Sequence, residues 1–142
     1  MVKPGRLFAA GVLLVALTGC SAPTSIAYAT YDRAPAGFES AGGLLNGQPG
    51  VAWLMGKQSF AVVTFGSSSC PPIPVELSAT PPSGLSLRFV PSPNQPCSAD
   101  MGATTHQFHL PDDMDAAGPI DVHVVYDFPQ RTEYDLVLEP GP

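Results

Sequence analysis

Seventeen prolines and fourteen glycines are spread through 142 residues, and this punctuation leaves few windows in which a helix of ordinary length could run. Proline in a helix interior removes a backbone donor and clashes with the preceding turn. Between the interruptions lie short runs that alternate apolar and polar residues, the period of a half-buried strand. Apolar residues are 44% of the chain, enough to build a core, and the proline and glycine content stays below the level of a low-complexity sequence.

The clearest alternation sets Ile120, Val122, Val124, Tyr126 and Phe128 against Asp121, His123 and Asp127. Tyr134, Leu136 and Leu138 repeat the pattern. Val75, Leu77 and Ala79, then Leu85, Leu87 and Phe89, flank the turn TPPSG and read as a hairpin with one inward face. A first hairpin joins Val51, Trp53 and Met55 through GKQS to FAVVTFG, which is apolar on both faces. THQFHL adds a strand, and SADMGAT before it predicts one helical turn. Seven short strands predict an all-β fold, a small antiparallel β-sandwich of immunoglobulin-like architecture, with an open barrel as the alternative. The immunoglobulin order Cys, Trp, Cys is absent, because Trp53 precedes both Cys70 and Cys97.

At the N-terminus Lys3 and Arg6 precede an apolar run from Leu7 to Leu17, the pattern of a secretory signal peptide. Eleven residues fall well short of the roughly 20 that a membrane-spanning helix needs. Leu17, Thr18, Gly19 and Cys20 resemble the lipobox of bacterial lipoproteins. That resemblance implies a diacylglycerol thioether on Cys20 and cleavage just before it. Residues 1–19 are therefore expected to be a signal peptide, residues 20–48 a lipidated cysteine with a flexible tether, and residues 49–142 the β domain. IAYATY within the tether could instead supply an edge strand. Stable anchoring takes two acyl chains, which places the mature protein on the extracytoplasmic face of the cell membrane.

Without residues 1–19 the chain keeps four basic residues against all twelve acidic ones. Nucleic acid is a poor partner for such a balance, since phosphate binding depends on clustered Lys and Arg. An envelope protein or a cell-wall component fits better. With Cys20 assigned to lipid, Cys70 and Cys97 form an even pair in an oxidising compartment, and one disulfide is the economical reading. Two free thiols forming half a metal site is the alternative.

GSSSCPP, residues 66–72, matches the start of a G-x-S-x-G nucleophile elbow, but Cys70 stands where the second glycine belongs and Pro71, Pro72 and Pro74 oppose the helix that must follow. A strand end turned by serines and prolines is the better reading. His109 and His123 fall on outward strand faces with Asp121 beside His123, while His106, three residues from His109, points the other way; exposed histidines are expected. Asp112, Asp113 and Asp115 gather in one loop, yet Ala117 and Val124 occupy positions where an EF-hand needs ligands, so a solvated turn is expected. No residue is assigned a catalytic or metal role, and no cofactor is called for.

FAVVTFGSSSCPP followed by CSADMGATTHQFHLP resembles a group of small actinobacterial lipoproteins and secreted proteins that carry a GSSSCP segment. The likeness covers about Trp53 to Pro111. It implies a Cys70–Cys97 bridge and brings no activity with it. Asp100 is expected to accept hydrogen bonds from serine hydroxyls or backbone N–H groups beside the bridge. The function expected is a lipid-anchored, non-enzymatic binding or structural module of the envelope. The alternatives are an envelope serine hydrolase using Ser67, Ser68 or Ser69, and a lipoprotein that captures a small ligand or a metal.

Overall fold

The computed structural model describes residues 19, 21–36, 38, 47–54 and 56–140. The expected signal peptide up to Thr18, the lipidation candidate Cys20 and the hairpin residue Met55 lie outside the described residues. Among the described residues eight strands follow in order: β1 (Ala29–Tyr31), β2 (Gly50–Trp53), β3 (Ser59–Gly66), β4 (Ile73–Thr80), β5 (Gly84–Val90), β6 (Gly102–His109), β7 (Ile120–Asp127) and β8 (Arg131–Leu138). They form two four-stranded sheets, β1-β6-β3-β2 and β4-β5-β7-β8. The molecule is a small β-sandwich, not a barrel.

Alternation places the core where the sequence puts it. Leu85, Leu87 and Phe89 of β5, with Ile120, Val122 and Val124 of β7, face Phe60 and Val62 of β3 and Phe108 of β6, all buried. Phe60 and Phe108 are cross-strand partners whose rings stack at 5.4 Å. Burial of such apolar area is the main stabilising term. Both open sides of the sandwich are laced: the Trp53 indole N–H donates to the Glu139 carbonyl at 2.7 Å, and Ile26 N–H donates to the Pro74 carbonyl at 3.0 Å.

Three expectations need correction. The sandwich is not wholly antiparallel, because β5 and β7 pair in parallel, Gly84 with Asp121 through Phe89 with Tyr126; β6, which lies between them in sequence, crosses to the other sheet. SADMGAT forms no helical turn, since Gly102 to Thr104 pair with Gly66 to Thr64 and extend β6. The stretch read as tether joins the domain well before residue 49: β1 pairs with β6 from Ala29↔Gln107 to Tyr31↔Thr105, so IAYATY does supply an edge strand.

The same stretch explains why β3 is apolar on both faces. Ala61 and Val63 lie opposite to the core-facing Phe60 and Val62 yet are fully buried. Above them, Phe38 is buried over Gly50, the partner of Val63, and the Thr105 hydroxyl donates to the Arg33 carbonyl. A methyl group at position 50 would overlap the Phe38 ring. Gly50→Ala is therefore expected to destabilise the domain by about 1–3 kcal/mol, the usual range for overpacking, as read from the urea midpoint; an unchanged midpoint counts against this packing.

Candidate functional site

Cys70 and Cys97 are joined, with Cα atoms 5.4 Å apart across a separation of 27 residues. The bridge fastens the loop after β3 to the loop before β6 and closes around the β4–β5 hairpin. Ser98 gathers the serine triplet against it. Its hydroxyl shares hydrogen bonds with Ser67 Oγ at 2.9 Å and Ser69 Oγ at 3.1 Å, and its backbone N–H donates to Ser69 Oγ at 2.8 Å. Asp100 completes the knot as expected from its place in the sequence, accepting from Ser68 N–H at 3.1 Å and from the Ser98 hydroxyl.

Hydrogen bonding from the Ser68 side chain, then from the Ser98 hydroxyl and the Ser68 N–H, holds the Asp100 carboxyl down at about 2, because it favours the charged form. A folded value below the unfolded one contributes stability above about pH 4, lost as pH falls toward 2. Asp100→Ala is expected to lower the melting temperature by a few degrees at pH 7, with the difference from wild type shrinking toward pH 2. Equal melting at pH 7 contradicts a clamping role.

A serine nucleophile needs a base within hydrogen-bond reach. The polar partners of the three histidines lie elsewhere: Thr64 for His106, Ser59 for His109, and Asp135 and Glu133 for His123. Asp100 is at hand, but a carboxylate held at about 2 is a weak base. His123 is on the outer face of β7, 2.7 Å from Asp135. His109 stacks on Tyr28 with ring centroids 4.2 Å apart. His106 departs from the expectation of an exposed histidine. It is 1% exposed, between Thr64 and the edge-on ring of Phe89, and burial lowers its pKa to about 4.

In the loop after β6, Asp115 Oδ1 accepts from Ala117 N–H at 2.8 Å, a self-contained turn. Among the described residues no group of three or more His, Cys, Asp or Glu is arranged to hold a metal ion.

A cavity of about 380 Å³ opens beside the bridge at one end of the sandwich, a size typical of small-molecule sites. Phe65 at the end of β3, Tyr126 and Phe128 at the end of β7, and Tyr134 of β8 supply aromatic walls, with Pro49, Pro72 and Pro91 between them. The aromatic wall is braced: Tyr126 meets Phe128 and Tyr134 nearly at right angles, with centroids 5.7 and 5.9 Å away, an arrangement favoured by ring quadrupoles. Burial pushes the Tyr126 phenol well above its ordinary range, so it stays neutral. Ser67, Ser92, Gln95 and Thr132 give the cavity its other polar groups, and among the described residues none that lines it is charged.

Sequence reasoning found the bridge and the serines but not this cavity, whose lining is drawn from six separate segments. The surviving signal is a surplus of aromatic residues near Pro129, at positions 126, 128 and 134. No protein-family model, curated protein or solved structure matches the chain.

Proposed function

We propose that the chain is a lipid-anchored extracytoplasmic module that binds a small, uncharged, partly apolar ligand in the cavity beside the Cys70–Cys97 bridge. The observation that carries this reading is the lining: among the described residues, four aromatic rings and three prolines surround neutral hydrogen-bonding groups, and none of them is charged. An ionic ligand would enter without a counter-charge, which is costly in a partly desolvated site. A purely aliphatic ligand would strip water from Ser67, Gln95 and Thr132 without replacing their hydrogen bonds. A ring-bearing molecule with hydroxyl or carbonyl groups satisfies both demands. The lipobox and the apolar signal support an anchor at Cys20, and the acidic balance of the mature chain argues against nucleic acid as partner.

The test is an NMR titration of the mature chain with a library of neutral and charged fragments. Neutral aromatic or cyclic fragments are expected to shift resonances of Phe65, Tyr126, Phe128 and Tyr134, and Tyr134→Ala to weaken their binding at least tenfold while leaving the fold intact. Shifts confined to charged fragments, or none at these residues, would refute the binding reading. The anchor is tested separately: Cys20→Ala is expected to move the protein from the membrane fraction to the soluble one.

A further inference from the structure

The first stretch bonded into the sheets carries apolar side chains into solvent. Ile26, Tyr28 and Tyr31 are 43%, 48% and 41% exposed, and only Met101 and Val137 join them as exposed large apolar residues among those described. The stretch is fixed in place, since Ile26 N–H donates to Pro74 and Tyr28 N–H to Gln107, both at 3.0 Å, and β1 is the outermost strand of its sheet.

We propose that this β1 edge is the face the anchored protein lays against the lipid surface, with Ile26, Tyr28 and Tyr31 seated at headgroup level. The inference rests on the anchor at Cys20 proposed above. Six residue steps separate Cys20 from Ile26, which span at most about 20 Å when fully extended and roughly 12 to 15 Å as a flexible chain. The β1 edge is thus held within about 20 Å of the anchor, at high effective concentration near the bilayer surface. Tyrosine suits that depth, because its ring is apolar and its hydroxyl wet.

Charge settles the kind of contact. Arg33 is the one basic residue between Cys20 and Gln48, and Asp32 adjoins it. With four basic against twelve acidic residues in the mature chain, anionic headgroups repel it. The contact is interfacial and apolar, made on neutral lipid.

The experiment uses the chain from Cys20 onward, which contains every described strand. With Cys70 and Cys97 oxidised, Cys20 is its only thiol and couples to a maleimide lipid in phosphatidylcholine nanodiscs that carry a headgroup nitroxide. Amide signals of residues 26–31 and of their neighbours Gln107 and His109 are expected to broaden most, while those of Val51–Trp53 on the opposite edge keep their intensity. The double variant Ile26→Ser/Tyr28→Ser keeps the tether, and its broadening is expected to spread over the whole surface as the domain tumbles. Even broadening in the wild-type protein, or a pattern that the double variant leaves unchanged, overturns the proposal. So does a solution dimer that the double variant dissociates, which would assign the edge to a second copy. Because the coupling is chemical, failure here is distinct from failure of the anchor, which fractionation of Cys20→Ala reads independently.

Discussion

Replacing Cys70 and Cys97 together with serine is expected to destabilise the domain by about 3 to 4 kcal/mol, the loss of loop-closure entropy for a bridge over some 27 residues. For a domain of this size that lowers the melting temperature by roughly 10 to 20 °C. The loop so closed holds the entire β4–β5 hairpin, and β4 is an edge strand, so the reduced chain loses a constraint where pairing is available on one side only. Both cysteines also line the cavity, and fragment binding is expected to weaken in parallel. Thermal melts of the double variant and of the reduced wild-type protein should coincide. Melts equal to that of the oxidised protein would show that the bridge contributes little.

A second large effect is expected on acidification. His106 is buried beside Phe89 and Thr64, its Nε2 is 3.1 Å from Thr64 Oγ1, and its Nδ1 has no hydrogen-bond partner among the described residues. Among the described residues no carboxylate is a cause of the shift, and burial holds its pKa at about 4, against about 6.5 for an unfolded chain. At pH 7 both states are neutral and the group is silent. As pH falls below 6.5 the unfolded chain takes up a proton that the folded one refuses, so stability declines until about pH 4 and no further on this account. The full loss is about 3 kcal/mol at 1.36 kcal/mol per pH unit. Urea denaturation across pH 7 to 4 reads it, and His106→Leu is expected to flatten most of that slope. An identical slope in the variant would assign the acid sensitivity elsewhere.

Period-two alternation carried most of the fold into view. Leu85, Leu87 and Phe89, and Ile120, Val122 and Val124, face the core as their spacing demands, because a strand with one buried face cannot slip by a residue without exposing its whole apolar set. What stayed hidden has no local signature. The parallel pairing of β5 with β7 depends on β6 leaving for the other sheet. β1 is three residues long at an edge, and Phe38 is a single ring in a run of Ala, Gly and Ser. Gly102 to Thr104 have the composition of a turn but the pairing partners of a strand. Among the site residues, Cys70, Cys97 and Asp100 were legible through covalent and hydrogen-bonding logic. The cavity was not, since its walls meet only after both sheets have closed.

The interleaving of the two sheets also bears on how the chain folds as it is made. One sheet draws its strands from β1, β2, β3 and β6, the other from β4, β5, β7 and β8, so neither is a contiguous piece of chain. A polypeptide threading outward from its N-terminus would have the first sheet without its inner strand until residue 109 emerged, and the second without a partner for β5 on its inner side until residue 127 followed. The domain is thus expected to fold late and in one step, as a chain whose edges stay open until nearly all of it has emerged.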